Sequence, residues 1–351
     1  MMPCFGRLAW LGLAPVCLPA AGALAQVPGG AGQGGPVIVE WKVPHPQSRP
    51  RDPYVAPDGR VWFVGQRSDY VAVFDPETES FRKYDLDEGT GPHNLIVAED
   101  GTVYYSGNRA AHIGRLDPRT GRIRKIPMPD PRARDPHTLI WGSTGNIWFT
   151  VQGGNYIGHL DVATDRVELI GAPVVESGRG RSSRPYGIKL DSKGRPWVAL
   201  FNTNLIARVE PASLELPTYE LPEGARPRRL AIASDDGVWY VDYARGYLGR
   251  LDPVTGEVRE WANPDGPGSR PYGMAIDAAD RVWFVETGPR PNRFVGFDTK
   301  TEQYLSVTAL KSGGGSVRHM FYDEPRNAIW FGTDANTIGR AILPPAAGRD
   351  R

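Results

Sequence analysis

Cysteine is almost absent from this 351-residue chain: there are two, Cys4 and Cys17, both inside the first 25 residues. The remainder can therefore build no disulfide framework, no thiolate nucleophile and no c-type haem attachment. An excess of one charge is lacking as well. Lys and Arg number 41 against 40 Asp and Glu, which gives no electrostatic footprint for a nucleic-acid partner. The only long apolar run, Leu8 to Leu18, is too short and too interrupted by proline to span a membrane. After residue 25 no stretch carries the 3.6-residue apolar period of a helix. What the chain has in quantity is glycine (42), proline (33) and tryptophan (10).

Residues 1–25 differ in composition from the rest. Arg7 is their only charge, and Ala23-Leu24-Ala25 forms a small-x-small site before Gln26. This reads as a secretory signal peptide, so the mature protein is expected in the periplasm or outside the cell. A lipid anchor on Cys17 competes, but Ala14-Pro15-Val16 departs from the small residues that such a site needs. Residues 26–36 read as a flexible Gly-rich lead-in, 37–345 as one domain and 346–351 as a tail.

Within 37–345 one phrase recurs. A loop ending in Pro leads to an aromatic anchor at Trp62, Tyr104, Trp148, Trp197, Trp239, Trp283 and Trp330. The anchors are roughly 45 residues apart, the period of a propeller blade. Each unit contains four short strands. The third is written Ile113-Gly114-Arg115-Leu116-Asp117, with echoes at Ile157, Leu248 and Ile338, and turns such as Pro118-Arg119-Thr120-Gly121 follow. Pro and Gly suit tight turns there, and the ligand spacing of a calcium loop is missing. The fold class is all-β, a seven-bladed β-propeller of four-stranded blades. The seventh unit lacks its outer strand, and Val37 to Pro44 resembles one. Pairing the two closes the ring and removes its open edge. A closed ring leaves no edge for assembly, so a monomer is expected.

Such a ring places equivalent loops around one channel mouth. The position after the loop Pro is expected to carry Tyr54, His93, His137, Tyr186, Arg228, Tyr272 and His319. Three of the six histidines in the chain fall at this one position. The exit of the second strand brings Gln66, Asn108, Gln152, Phe201, Tyr243, Thr287 and Asp334, with Asp242 and Glu286 one residue earlier. Histidine, carboxylate, amide and phenol groups in one concave opening suit a small-molecule ligand, and either acid–base or metal-assisted chemistry. The insertion Gly178 to Arg184 reads as a solvated loop. No nucleophile elbow, phosphate loop or His-Glu-x-x-His motif is present.

The phrases Pro-His/Tyr-x-Ile, Asp-Gly-x-Val-Trp-Phe and Ile-Gly-Arg-Leu-Asp, repeated from about 37 to 343, resemble the virginiamycin B lyase family. The resemblance implies an enzyme that opens a cyclic depsipeptide by elimination, with a His as base and Mg²⁺ held by carboxylates. Gly91-Pro92-His93 followed by Asp135-Pro136-His137 matches the family's functional pattern. It implies that His93 and the ring residues Tyr54, Tyr186, Arg228 and Tyr272 hold substrate, that Asp135 and Gln152 are metal ligands and that His137 is the base. The last two blades offer a second register, with Tyr272, His319 as base and Asp334 and Glu286 as ligands. Two other classes stay open. One is a non-catalytic propeller binding a ligand or protein partner. The other is a lactonase-type metal hydrolase drawing on Glu286, Asn108, Asn202 and Asp242.

The signal-peptide reading predicts that the chain made in a bacterial host is recovered from the periplasm with Gln26, or a close neighbour, as its first residue. N-terminal sequencing checks this; a product that keeps residues 1–25 overturns it.

Overall fold

Seven four-stranded antiparallel sheets and one small two-stranded sheet make up the computed structural model, which describes residues 34–177 and 180–346. The small sheet pairs Val174–Ser177 with Gly180–Ser182, in the insertion expected as a loop. The expected signal peptide and most of the lead-in and tail lie outside the described residues. Among the described residues no helix is long and apolar enough to cross a membrane.

Each blade runs from an inner strand at the channel to an outer strand at the rim. Blade 1 comprises Pro50–Val55, Val61–Gly65, Tyr70–Asp75 and Ser80–Asp85. Blades 2 to 6 repeat the order, with inner strands Pro92–Val97, Pro136–Trp141, Pro185–Leu190, Pro227–Ile232 and Pro271–Ile276. Proline is tolerated at these positions because the first residue of a strand can forgo its N–H. Blade 7 has Val317–Asp323, Ala328–Thr333 and Thr337–Ile342 from the C-terminal end, and its outer strand is Val37–Lys42. Six register pairs, from Val37 with Ile342 to Lys42 with Thr337, complete the closure expected from the sequence.

The repeated phrases have local causes. In the third strands of blades 2, 3, 5 and 7, Gly114, Gly158, Gly249 and Gly339 lie under the rings of Tyr105, Phe149, Tyr240 and Phe331. A Cβ at any of the four would collide with the ring. In five blades an Asp at the end of the third strand accepts the N–H two residues on, as Asp117 does from Arg119 (2.9 Å) and Asp252 from Val254 (2.8 Å). These are Asx turns. Trp62, Trp197, Trp239, Trp283 and Trp330 are each 2% exposed or less and fill the spaces between blades.

One irregularity recurs. In all seven inner strands the register with the second strand shifts just after the first residue or two, as between Pro92 and Leu95 or between Val317 and Met320. A bulge re-aims the side chains it carries. Here it turns two residues per blade out of the ladder and into the channel.

Trp41 fastens the closure. Its ring stacks on Trp330 at 5.6 Å, touches Phe74 of blade 1 at 5.1 Å, and its Nε1 donates to Glu79 at 2.9 Å. Replacing it joins a loss of burial to a loss of the bond between first and last blades. Trp41→Ala is expected to cost about 2 kcal/mol, a fall of about 3–6 °C in Tm. Thermal unfolding measures it, and an unchanged Tm would mean that blade 7 closes without this contact.

Candidate functional site

The seven bulges build two rings of side chains, one above the other. The upper ring is Arg51, His93, His137, Tyr186, Arg228, Tyr272 and Arg318, and the lower is Asp52, Asn94, Thr138, Gly187, Arg229, Gly273 and His319. Five residues therefore stand where the sequence placed them: His93, His137, Tyr186, Arg228 and Tyr272. Two do not. Tyr54 lies three residues further along its strand, opposite Trp62, with its ring against Phe321 at 4.6 Å. The residue in its expected place is Arg51, because Pro50 and not Pro53 opens blade 1. Pro50 lies twelve residues before Trp62, the same separation as Pro92 to Tyr104. His319 belongs to the lower ring. The blade 7 hairpin is one residue longer, pairing Phe321 with Trp330 where blade 2 pairs Ile96 with Tyr104. That puts Arg318 in the upper ring.

The third set, at the second-strand exit, is as expected from Gln66 round to Asp334. In five blades the backbone N–H of this residue donates to the carbonyl of the residue before the inner-strand Pro: Gln66 to Arg49, Gln152 to Asp135, Phe201 to Arg184, Tyr243 to Arg226 and Thr287 to Arg270. Arg49, Asp135, Arg184 and Arg270 are held at φ between 44 and 71°. This conformation is disfavoured for residues with a Cβ, and such strain concentrates where function is positioned.

The resulting cavity holds about 310 Å³ and is lined by Arg49, Arg51, Arg184, Arg228 and Arg318 among others. Arg229 lies beneath and crosses the channel, donating to the Arg318 carbonyl (2.9 Å) and Thr138 Oγ1 (2.9 Å) and reaching Asp52 Oδ2 (3.4 Å). Asp52 also accepts from Arg51 Nε (2.9 Å) and Asn94 Nδ2 (3.1 Å). Burial alone would raise its carboxyl, but Arg51, His319 and Arg229 hold it at about 2. It stays ionised.

The histidines stay neutral. His93 and His137 stack with ring centroids 3.6 Å apart, and His137 Nδ1 lies 2.8 Å from Thr138 Oγ1. Burial first, then surrounding charges with arginines foremost among them, pushes both well below the usual histidine range. His319 is lowered to about 3 for the same reasons, with Asp52 as a partial counterweight. Across the cavity Arg228 lies over Tyr272, 3.4 Å from its centroid, and the Tyr186 and Tyr272 hydroxyls share a hydrogen bond. Burial would raise Tyr272, yet Arg228, Arg51, Arg229 and Arg318 bring it down to about 8.

The carboxylates expected to hold Mg²⁺ are otherwise engaged. Burial pushes Asp135 up to about 7 despite Arg184 and Arg51, and it accepts from Asn108. Arg184 donates to Gln152 (2.8 and 3.0 Å), and Arg318 forks onto Asp334. Glu286 does not line the cavity; it caps the Asp265 N–H (2.9 Å) and pairs with Arg293. Asp242 likewise anchors the Arg226 N–H (2.9 Å) and Arg245, so the hydrolase set does not converge. Among the described residues no three of His, Cys, Asp and Glu are grouped to hold a metal ion. The donor set does not fit Mg²⁺. What the sequence reading missed is the set of arginines around Arg228, of which the Arg-Pro pairs at 49 and 184 signal two.

Residues 33–178 and 176–344 match the model of a family described as the virginiamycin B lyase family. Among solved structures, a streptogramin B lyase superposes with a TM-score of 0.77 at 23% identity, covering 88% of this chain and 98% of the other. A catalytically inactive histidine-to-alanine variant of virginiamycin B lyase from Staphylococcus aureus, solved with quinupristin, gives 0.77 and 23%, covering 88% and 99%. The extracellular domain of a one-component system from B. thetaiotaomicron gives 0.62 and 17%, covering 84% of this chain and 39% of that one. No curated protein gives a significant sequence match.

The three site histidines, with His45 and His112 elsewhere, are all lowered from the usual histidine range and set an acid sensitivity. Below pH 6.5 the unfolded chain takes up protons that the folded chain does not, so stability falls with pH until the folded histidines titrate. Unfolding free energy from urea titrations is expected to decline from pH 7 to pH 4, by up to about 1.4 kcal/mol per pH unit for each lowered histidine. One such increment is offset because Asp135, raised to about 7, takes up its proton in the folded state over the same range. His137→Gln should reduce that slope by one proton; a flat profile in the parent protein would overturn the assignment.

Proposed function

The chain belongs to the virginiamycin B lyase family, and from that premise we propose that it is a carbon–oxygen lyase acting by β-elimination at the propeller mouth. The observation that carries this reading is the neutral His93–His137 stack facing a wall of guanidinium groups. Elimination needs a base that is unprotonated near neutral pH and a positive field where the enolate oxygen develops. His137 fits the first role: Thr138 engages its Nδ1, which leaves Nε2 to take the proton from the carbon beside a carbonyl. Arg51 and Arg228 fit the second. The same cations weaken His137 as a base and stabilise the enolate, so both sides of the proton transfer shift together. As the double bond forms, the bond from the β-carbon to oxygen breaks, and the Tyr186–Tyr272 pair supplies the proton that the departing oxygen needs. Export follows from residues 1–25 in the same reading. A second reading, a ligand-binding propeller without turnover, is favoured by the pairing of Arg318 with Asp334 and of Arg184 with Gln152, which needs no reaction to explain it.

The test is a panel of cyclic depsipeptides and β-alkoxy carbonyl compounds, followed by absorbance of the conjugated product. Turnover is expected to persist in EDTA, and His137→Ala should lower kcat by about 10²–10⁴. Bound compounds with no product from the parent protein would establish the second reading instead. Loss of turnover in EDTA, restored by Mg²⁺, would restore the metal to the mechanism.

A further inference from the structure

Four polar atoms of residues lining the mouth cavity have no hydrogen-bond partner among the described residues: Arg49 Nε, Arg51 Nη2, Arg228 Nε and His93 Nδ1, although Arg49 Nε has Asp334 Oδ1 at 3.5 Å and His93 Nδ1 has Asp52 Oδ2 at 4.0 Å. Arg51 and His93 are only 4% and 5% exposed. The rest of each guanidinium is held firmly. Arg51 donates through Nε to Asp52 (2.9 Å) and through Nη1 to Gln66 (3.0 Å). Arg228 lies flat on Tyr272, with Tyr243 at 4.3 Å and Phe201 at 4.7 Å from its carbon. A guanidinium N–H withdrawn from water with nothing to donate to is costly. Two such groups lining one small cavity mark where an acceptor binds. The other lining arginines are already answered, Arg318 by Asp334, Arg184 by Gln152 and Arg49 by Asp334 and Gln66. Arg51 and Arg228 have no carboxylate across the cavity to themselves, since Asp52 is shared with Arg229 and Asn94.

We propose that the mouth seats a carboxylate between Arg51 and Arg228, and that the substrate is a β-alkoxycarboxylate, of which a 4-linked uronate is one form. The leaving group rests on the lyase reading; the carboxylate seat does not. A planar acceptor with two oxygens suits two guanidinium edges better than a tetrahedral anion. A cavity of about 310 Å³ with Tyr186, Phe201 and Tyr272 as one wall takes a single ring-sized unit. Neutralising the carboxylate is also what makes its α-proton removable. The proton passes to His137, the α–β double bond forms, and the β-carbon–oxygen bond breaks. The alkoxide is protonated by the tyrosine pair, so the products are an unsaturated acid and an alcohol. No oxidant or reductant is required.

Calorimetry on the whole chain, with glucuronate as probe, tests the seat without turnover. Glucuronate is expected to bind, more weakly as salt rises, while its methyl ester and glucose bind at least about tenfold less tightly, the loss expected for a charge-assisted pair. Arg228→Lys keeps the charge but not the fork and should weaken glucuronate about tenfold; Arg228→Met should abolish binding. Arg228 is partly exposed at the mouth, and an unchanged Tm in these variants separates lost binding from lost fold. Equal binding of glucose, sulfate as tight as glucuronate, or an Arg228→Met variant that binds normally would each overturn the seat. Glucuronate binding without conversion of any 4-linked uronate would uphold the seat and sink the lyase reading. Elimination from a neutral depsipeptide without glucuronate binding would do the reverse.

Discussion

A ring of antiparallel sheets holds together only if the last sheet is completed, because an unpaired edge strand invites pairing with other chains. In this protein the constraint is met by two segments nearly 300 positions apart, Val37–Lys42 and Thr337–Ile342. Everything at the channel depends on that pairing. With the ring closed, each inner strand has one fixed distance from the axis, and seven separate bulges become one site. Trp41 couples the closure to blade 1 through Phe74 and Glu79.

The second constraint is charge. Six guanidinium groups converge on the channel, and Asp52 is the one carboxylate buried deep enough to organise them. It orients Arg51, draws Arg229 across the axis and fixes Asn94. Like charges at this density are tolerable because each arginine is either paired, as Arg318 is, or spread over aromatic faces, as Arg228 is. Stacking on Tyr272 lets a weakly hydrated guanidinium sit against apolar surface without losing its charge. The consequence for chemistry is a fixed positive field beside two neutral imidazoles. A field of that kind is already in place before a substrate arrives, which is the condition for stabilising an enolate without reorganisation. In the proposed reaction these fixed guanidinium groups would take the electrophilic role that the family resemblance led one to expect of a metal ion.

Much of this was legible in residue spacing. The aromatic anchors, the Ile-Gly-Arg-Leu-Asp strands and the missing outer strand of the seventh unit together specify a closed propeller, because each phrase has a local steric cause. His93, His137, Tyr186, Arg228 and Tyr272 could be placed since Pro stands twelve residues before the anchor in their blades. Tyr54 and His319 were misplaced for small reasons with large effects. Blade 1 offers two prolines, at 50 and 53, and blade 7 lengthens its hairpin by the short helical turn Glu324–Arg326. In a bulged strand a register error of one or a few residues exchanges a channel-facing side chain for one packed elsewhere.

By itself, then, the sequence determined the number of blades, the closing strand and most of the residues at the channel mouth, because those follow from short-range sterics repeated at a constant period. The character of the site was decided only in three dimensions. Whether a carboxylate meets a metal or an arginine depends on side chains that only the fold brings together: Asp334 with Arg318 within one blade, Asp52 with Arg229 across the ring. Asp52 and Arg229 are 177 positions apart in the chain, and no local spacing encodes that contact. Burial, which sets the protonation of His93, His137 and Asp135, exists only once the ring has closed.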